Sequence, residues 1–223
     1  MLWGRSASMV SMARPVALLV SGASGMLLPR HLLGVLARHP AVARIHLVVS
    51  KGASQVLAHE LGREATGAGA LLDAAGLDAG ERERVVVHRD NELDAPISSG
   101  SYRLTGTLVL PASAGTVGAF ATGAAATLVH RAGAVALKER WPLVLGFRET
   151  PLSPLHLENL ATLAWAGATV VPPIPAFYIG GEEMSRFLDA YAQRLLDHLG
   201  LGPDGPGLRW DPATSPGRKE ESP

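Results

Sequence analysis

The chain has 223 residues, 47% of them hydrophobic and 18% charged, a composition that predicts a folded globular protein and excludes extended disorder. Its 20 basic and 20 acidic residues cancel to a formal net charge of zero, which argues against a general nucleic-acid binder. No cysteine is present, so disulfide frameworks, thiolate zinc sites and cysteine nucleophiles are excluded.

The two ends of the chain differ in composition from its middle. Residues 1–14 are predicted to form a disordered leader, residues 15–200 a single domain, and residues 201–223 a partly disordered tail rich in Gly and Pro. The apolar run 15–20 is shorter than the core of a secretory signal, which needs roughly 7–15 residues. The uncharged stretch 104–129 is interrupted by Gly, Pro and hydroxyl residues, so a strand and a buried helix explain it better than a membrane span. We therefore expect a cytoplasmic protein that does not enter a membrane.

Short β-rich runs alternate with longer helical stretches along the domain. The first run, residues 16–20 (VALLV), is continuously apolar, as a parallel strand buried on both faces requires. A helix over Leu27–Arg38 is predicted after it, and residues 62–80 fit either a helix or a loop. The further predicted strands are 45–49, 85–87, 107–110, 142–146 and 169–171, and the further helices are 51–61, 114–129, 154–165 and 182–199. Ser153 is the predicted cap of the helix that begins at Pro154. Strands that alternate with helices predict a doubly wound α/β sheet.

Two turns combine small residues with hydroxyl groups at the ends of predicted strands, where such sheets bind ligands. Residues 21–25 (SGASG) follow the first strand, and residues 111–116 (PASAGT) follow the fourth. Backbone N–H groups at the helix N-termini that follow could bind a phosphate. A tight turn explains the first segment equally well, and a helix cap by Ser113 explains the second. Their occurrence at two strand ends of one sheet favours a phosphorylated cofactor, while Ser50 after the second strand indicates little by itself.

Charged side chains outside these turns form a third group of candidates. Arginine can bind a phosphate through two hydrogen bonds, and lysine can neutralise the charge on a leaving group. Arg148 and Glu149 directly follow a predicted strand in an apolar context, whereas Arg140 suits a solvated surface. The other members of this group are Arg131, Lys138, Glu60 and Glu158. A binding site and a charged surface both remain open as explanations for them.

Three histidines and a proline-rich segment have ordinary structural explanations. A lone histidine is usually structural, so no catalytic role is expected for His59, His130 or His156. Residues 172–178 (PPIPAFY) predict a stiff turn, which could hold an aromatic ring beside a ligand or close the core. Arg194 on the last predicted helix could reach the ligand cleft at the strand ends or remain at the surface.

A series of longer motifs resembles a known family. SGASG, SKGASQVLAHE, SSGS, PASAGT, ALKER, RETPLSPLHLENL and PPIPAFY, in this order and spacing, are similar to the flavin prenyltransferases of the UbiX type. The resemblance implies a flavodoxin-like (Rossmann-type) doubly wound parallel sheet that binds FMN without a metal. It also implies transfer of the dimethylallyl group of dimethylallyl phosphate to N5 and C6 of reduced FMN, giving prenylated FMN for a UbiD-type decarboxylase. Members of the family form large homo-oligomers, typically dodecamers, with active sites between subunits.

The resemblance implies a role for each matching residue. Glu60, Lys138 and Glu149 would act in catalysis, assisting proton transfer and departure of the phosphate. The residues that would hold FMN are Gly22, Ala23, Ser24, Ser50, Ser113, Ala114, Gly115, Thr116 and Arg148. The residues that would bind the allylic phosphate are Arg131, Lys138, Tyr178 and Arg194.

Several positions depart from the family pattern and predict a divergent member. Leu28 and Pro29 stand where the family usually has Tyr-Gly, and Ala112 stands where it has Cys. Ala134 replaces an acid, and Phe147 replaces a proline. Because the residues assigned to substrate binding and proton transfer match, these departures are expected to affect the scaffold or subunit contacts first.

Two other functions remain as alternatives. PASAGT resembles the PASANT motif of the related FMN-dependent decarboxylases that act on cysteine-derived thiols of peptides, but these lack the RETPLS and PPxPAFY blocks. The chain could also be a non-catalytic flavin-binding accessory subunit of a decarboxylase. The joint presence of Glu60, Lys138, Glu149, Tyr178 and Arg194 argues against that role, because storing FMN requires few of them.

Overall fold

Six parallel strands form the centre of the computed structural model, which describes residues 13–62, 66–177 and 183–202. The strands are β1 (Arg14–Val20), β2 (Val42–Val49), β3 (Val85–His88), β4 (Thr107–Ala112), β5 (Leu143–Phe147) and β6 (Thr169–Val170). They lie in the order β3-β2-β1-β4-β5-β6, and each neighbouring pair is parallel. This is the strand order of Rossmann-type sheets, so the predicted doubly wound fold is confirmed.

Helices cover both faces of the sheet. They are α1 (Leu27–Arg38), α2 (Lys51–Glu60), α3 (Ala68–Ala75), α4 (Ala79–Glu83), α5 (Ala114–Thr122), α6 (Leu128–Glu139), α7 (Pro154–Trp165) and α8 (Met184–His198), with a short 3₁₀ turn at Pro96–Ser98. Side chains of α1, α2, α3 and α8 contribute to one apolar core, and side chains of α5, α6 and α7 contribute to a second core on the opposite face.

The central strand β1 shows why its sequence is apolar without alternation. Val16, Leu18 and Val20 belong to the core on one face, and Ala17 and Leu19 belong to the core on the other. All five side chains are fully buried. Successive side chains of a strand point to opposite faces, so a strand with helices on both sides must be apolar at every position.

The predicted helix over residues 114–129 is wrong. Helix α5 ends at Thr122, where Gly123 takes the left-handed conformation, with a φ of 72°, that commonly ends helices. A new helix, α6, begins at Leu128, and the hydroxyl of its N-cap Thr127 accepts a hydrogen bond from the backbone N–H of His130. The sequence analysis missed this break because the small residues 123–126 continue the composition of the preceding helix.

Most other predicted elements agree with the structure to within a few residues. Helix α1 has the predicted bounds, and Ser153 caps α7 at Pro154 as predicted. The segment 62–80, left open between helix and loop, contains the short helix α3 and the start of α4. Most of the predicted leader and tail lies outside the described residues. Within the described part of the chain, no helix is long and apolar enough to cross a membrane.

Candidate active site

A cavity of about 700 Å³ lies at the carboxyl ends of the central strands. The strand order reverses between β1 and β4, and in such sheets ligands bind at this point. The cavity is lined by Gly22, Ala23, Ser24, Ser50, Lys51, Gly52, Asp90, Ser113, Ala114, Gly115, Thr116, Thr127, Val129, His130, Arg148 and Glu149. All the residues predicted to hold FMN, together with the predicted catalytic Glu149, therefore line one cavity.

Ser21 joins the turns that follow β1 and β4. Its hydroxyl donates a hydrogen bond of 2.8 Å to the carbonyl oxygen of Pro111 and accepts one of 2.8 Å from the backbone N–H of Ser113. The side chain is buried, with 2% of its surface exposed. The two turns that line the cavity are consequently held in a defined position relative to each other.

Two glycines bring the turn after β1 against the start of α2. A Cβ atom added to Gly22 would lie 3.0 Å from the carbonyl carbon of Gly52, closer than side chains normally approach a backbone. Next to them, the hydroxyl of Ser50 accepts a hydrogen bond of 3.1 Å from the backbone N–H of Ala53 and so caps α2. The N-terminus of α2 therefore faces the cavity beside the Gly22 turn.

The turn after β4 presents a second helix N-terminus. The hydroxyl of Ser113 accepts a hydrogen bond from the backbone N–H of Thr116 and donates one of 3.1 Å to its hydroxyl, so Ser113 is the N-cap of α5. Ala114 and Gly115 follow in the first turn, where backbone N–H groups have no partner within the helix. Such groups and the helix dipole favour anions, so the capping role of Ser113 is compatible with an anion site here.

Glu60 supports the cavity from its edge rather than lining it. Its carboxylate accepts hydrogen bonds from the backbone N–H groups of Gly25 and Met26, the shortest of them 2.7 Å. Burial raises the pKa of Glu60, but the Met26 N–H, followed by the Ser24 hydroxyl, the Gly25 N–H and the charge of Arg148, outweighs it and lowers the pKa below its ordinary value. Glu60 is thus an anion that holds the SGASG turn.

Arg148 and Glu149 project from the end of β5. The backbone N–H of Arg148 donates to the carbonyl oxygen of Ala112, which continues the pairing of β5 with β4 up to the cavity. Arg148 is half-buried, whereas Glu149 is exposed. One carboxylate oxygen of Glu149 accepts a hydrogen bond of 3.0 Å from the backbone N–H of Thr150. The end of β5 therefore places one cation and one carboxylate at the same wall of the cavity.

Arg131 and Lys138, two further predicted site residues, contact the loop of residues 98–102 outside the cavity. Arg131 Nε donates a hydrogen bond of 3.1 Å to the carbonyl oxygen of Ser98. Lys138 forms an ion pair with Glu139, and a Cβ atom added to Gly100 would lie 2.7 Å from Lys138 Nζ. Arg131 and Lys138 are seven residues apart, so they lie on one face of α6. Neither of them lines the cavity.

The two remaining residues predicted to bind the allylic phosphate are Arg194 and Tyr178. Arg194 is exposed on α8, which packs against α1, and it does not line the cavity of the single chain. Its role in phosphate binding stays a prediction. Tyr178 lies outside the described residues.

Several cavity residues were missed in the sequence analysis. Asp90 accepts hydrogen bonds from the backbone N–H groups of Leu128, through its carbonyl oxygen at 2.7 Å, and of Val129, through its carboxylate at 3.0 Å. It thereby fixes the N-terminus of α6 beside the cavity. His130 also lines the cavity, because it lies in the first turn of α6. A prediction that α5 ends at Gly123 and that a new helix follows would have indicated this position. Among the described residues, no cluster of three or more metal-ligating side chains is found.

Comparisons with known proteins agree with this geometry. The sequence model of the flavoprotein family matches residues 5–191. The flavin prenyltransferase UbiX of Synechocystis sp. is 39% identical over 199 residues, which cover 85% of this chain and 93% of the relative. The crystal structure of a dodecameric FMN-dependent UbiX-like decarboxylase from Escherichia coli O157:H7 has a TM-score of 0.75 and 36% identity, over 88% of this chain and 99% of that chain. The structure of AnUbiX (PadA1) with FMN and dimethylallyl pyrophosphate has a TM-score of 0.72 and 34% identity, over 89% and 97% of the two chains.

Proposed function

The chain belongs to the UbiX-type flavin prenyltransferases of the flavoprotein family, and from this premise we propose that it joins a dimethylallyl group to N5 and C6 of reduced FMN. The prenyl donor in this proposal is dimethylallyl phosphate. The observation that carries the proposal is the convergence on one cavity of every residue predicted to hold FMN.

The cavity suits a flavin mononucleotide in size and in chemistry. Its volume of about 700 Å³ is within the ordinary range of small-molecule sites. The N-termini of α2 and α5 and the guanidinium of Arg148 favour an anion, as the phosphate of FMN requires. No atom lies within 4 Å of the place where a Cβ atom of Gly115 would stand, which leaves room for a ligand to approach the backbone there. A bound flavin in the relative AnUbiX (PadA1) supports the same assignment.

Arg131 and Lys138 are the proposed contacts of the departing phosphate. When the C–O bond of the allylic phosphate breaks, its electron pair stays on the phosphate oxygen, and fixed cations stabilise this charge. On bound reduced FMN, the C–N bond at N5 would form with loss of the N5 proton. Addition of a proton to the double bond of the prenyl group would then allow the C–C bond at C6 to form, with loss of the C6 proton. Glu149 is the proposed acceptor of that proton, because it is exposed at the cavity wall and, among the described residues, one backbone N–H, that of Thr150, is bonded to its carboxylate.

The exposed position of Arg194 supports a site shared between copies of the chain. We propose that Arg194 and Tyr178 complete the donor site of a neighbouring subunit in a homo-oligomer. Helix α7 has one buried residue, Leu163, whereas Leu155 is 68% exposed and Trp165 is 91% exposed. Exposed apolar side chains of this kind mark protein interfaces. The dodecameric assembly of the Escherichia coli relative supports the proposal, with a dodecamer as its specific form.

The product defines the class of partner that must consume it. Prenylated FMN is a cofactor, so a UbiD-type decarboxylase is the proposed recipient, and the cytoplasm is the proposed location of both proteins.

The two alternative functions would use fewer of the predicted site residues. A thiol-peptide decarboxylase or a flavin-binding accessory subunit needs the flavin cavity but has no evident use for the cations at the loop of residues 98–102.

Mass spectrometry of the flavin tests the proposal. Purified protein is incubated without oxygen with FMN, dithionite and dimethylallyl phosphate, with dimethylallyl pyrophosphate in a parallel sample, and the flavin is then extracted. We expect FMN that carries one additional five-carbon unit. Unchanged FMN on a fully loaded protein would support the accessory subunit, and oxidative decarboxylation of a peptide with a C-terminal cysteine would support the decarboxylase.

A further inference from the structure

Four polar side chains form a continuous hydrogen-bonded row on the β2–β3 side of the sheet, outside the flavin cavity. Tyr102 Oη lies 2.9 Å from His46 Nε2, and His46 Nδ1 lies 2.9 Å from His88 Nε2. His88 Nδ1 lies 3.2 Å from a carboxylate oxygen of Glu92. His46 and His88 are 2% and 6% exposed, so the middle of the row is shielded from water.

The charge of Glu92 sets the direction of every proton in the row. The hydrogen bond from His88 lowers the pKa of Glu92, so Glu92 is a carboxylate and can only accept. His88 therefore carries a proton on Nδ1. When its Nε2 carries none, that atom accepts from the Nδ1–H of His46, and the Nε2 atom of His46 accepts from Tyr102, whose hydroxyl is the final donor. Burial, the largest cause, lowers the pKa of His46 to about 4, so the His46 imidazole is neutral at pH 7.

The row ends in the loop of residues 98–102, which contacts both cations proposed for the donor phosphate. Arg131 Nε is bonded to the carbonyl oxygen of Ser98, and Lys138 Nζ packs against Gly100. Ile97 and Leu104 anchor the loop in the core, with 1% and 4% of their surfaces exposed. Between these two anchors, the hydrogen bond from Tyr102 to His46 and the packing of the Tyr102 ring against the core tie the loop to the sheet.

We propose that Tyr102, held by His46, is a positioning residue of the prenyl-donor site. Through the loop of residues 98–102 it fixes where Arg131 and Lys138 are held, and so controls the binding of the donor phosphate without contacting it. The inference rests on the proposed function, because a protein that only stores FMN has no use for an ordered loop at these cations. The two turns proposed to hold the flavin follow β1 and β4, and the hydrogen bonds that join them involve no residue of the row.

The variant Tyr102→Phe tests the role of the hydroxyl, because it keeps the ring and removes the last donor of the row. Thr122→Val is the control, since the hydroxyl of Thr122 donates to the carbonyl oxygens of Gly118 and Ala119 within α5. In Tyr102→Phe we expect the KM for dimethylallyl phosphate to rise roughly three- to tenfold, the effect of one lost hydrogen bond, with kcat and the FMN affinity near those of the wild type. In Thr122→Val we expect no change in the donor KM.

Hydrogen–deuterium exchange of FMN-loaded protein separates this inference from the proposed function. Backbone amides of residues 98–102 should exchange faster in Tyr102→Phe than in the wild type, whether or not the protein transfers a prenyl group. Unchanged exchange in this loop would overturn the inference. Equal weakening of donor and FMN binding would also overturn it, because a general loss of stability would then explain the result. A wild type with an ordered loop but no prenyl transfer would instead reject the proposed function.

Discussion

The backbone N–H of Ser113 donates to the hydroxyl of Ser21 over 2.8 Å, although the two residues are 92 positions apart in the chain. Ser21 follows β1 and Ser113 follows β4, the neighbouring strands between which the strand order reverses. The same hydroxyl donates to the carbonyl oxygen of Pro111. The backbone N–H of Ser21 also donates to that carbonyl oxygen, over 3.2 Å. The buried hydroxyl and this backbone bond therefore together set the spacing between the two turns that are proposed to hold the flavin.

Replacing Ser21 tests that link. In Ser21→Ala the part-buried N–H of Ser113 loses its partner, so we expect the free energy of unfolding in urea to fall by about 1–2 kcal/mol. The FMN dissociation constant should rise about tenfold, because the two turns are then joined only by the backbone bond from Ser21 to Pro111. Urea titrations and flavin fluorescence measure the two quantities. Ser185→Ala, which removes an exposed hydrogen bond to Glu183, is the control, and its stability and FMN affinity should stay at wild-type values. An FMN affinity of Ser21→Ala equal to that of the wild type would refute the link.

The close approach of Gly22 to Gly52 gives a second test. The added methyl group of Gly22→Ala would lie 3.0 Å from the backbone of Gly52, so one of the two segments must move. We expect a loss of about 1–3 kcal/mol in the free energy of unfolding and weaker FMN binding. Gly69→Ala is the control, because no atom lies within 4 Å of its added methyl group and alanine favours helix α3. Calorimetry and flavin titration should show a defect in Gly22→Ala alone.

The fold and the flavin cavity were predictable because they depend on short-range patterns. The uninterrupted apolar run of β1 indicates a strand with helices on both sides, and hydroxyl-rich turns after β1 and β4 must meet once those strands are neighbours. The bond between Ser21 and Ser113 was not predictable, because it depends on which strands are adjacent. Motif resemblance supplied the functional assignments that patterns alone left open.

The start of α6 shows where reasoning from local composition failed. Residues 123–127 (GAAAT) have the small side chains of the preceding helix, so the break at Gly123 was not recognised. The error concealed the position of His130, which lines the cavity from the first turn of α6. Arg131 and Lys138, which the resemblance assigns to the allylic phosphate, contact the loop of residues 98–102 in the single chain and do not line the flavin cavity.

Glu149→Gln tests the proposed proton acceptor. The amide keeps the size of the side chain but cannot take up a proton at neutral pH, so we expect FMN affinity to be retained while prenylation slows roughly 10²-fold or more. Glu83→Gln, an exposed change on α4, is the matched control and should be fully active. Single-turnover assays followed by mass spectrometry measure the rate. Loss of FMN from Glu149→Gln would show that Glu149 supports binding and that its assigned role is wrong.

The neutral, buried His46 predicts a pH dependence of stability. Its folded-state pKa of about 4 lies below the ordinary value of 6.5, so between these pH values the unfolded chain binds more protons than the folded chain. The free energy of unfolding should therefore fall as the pH drops from about 6.5 to 4, by on the order of 3 kcal/mol from this residue.

Urea titrations at pH 7 and pH 5 measure this dependence. His46→Gln should be less stable at pH 7 and should show a weaker fall, while His59→Gln, an exposed change on α2, should keep the wild-type fall. An identical fall in the wild type and in His46→Gln would assign the effect to other groups.

The coupling of phosphate release to flavin modification tests the account most directly. Protein loaded with reduced FMN is mixed once, without oxygen, with dimethylallyl phosphate, and free phosphate and prenylated flavin are measured at each time point. If one site excludes water while its cations stabilise the departing phosphate, each phosphate released must match one five-carbon unit on the flavin. Phosphate that appears while FMN stays unmodified would show hydrolysis in place of transfer, and would contradict the account.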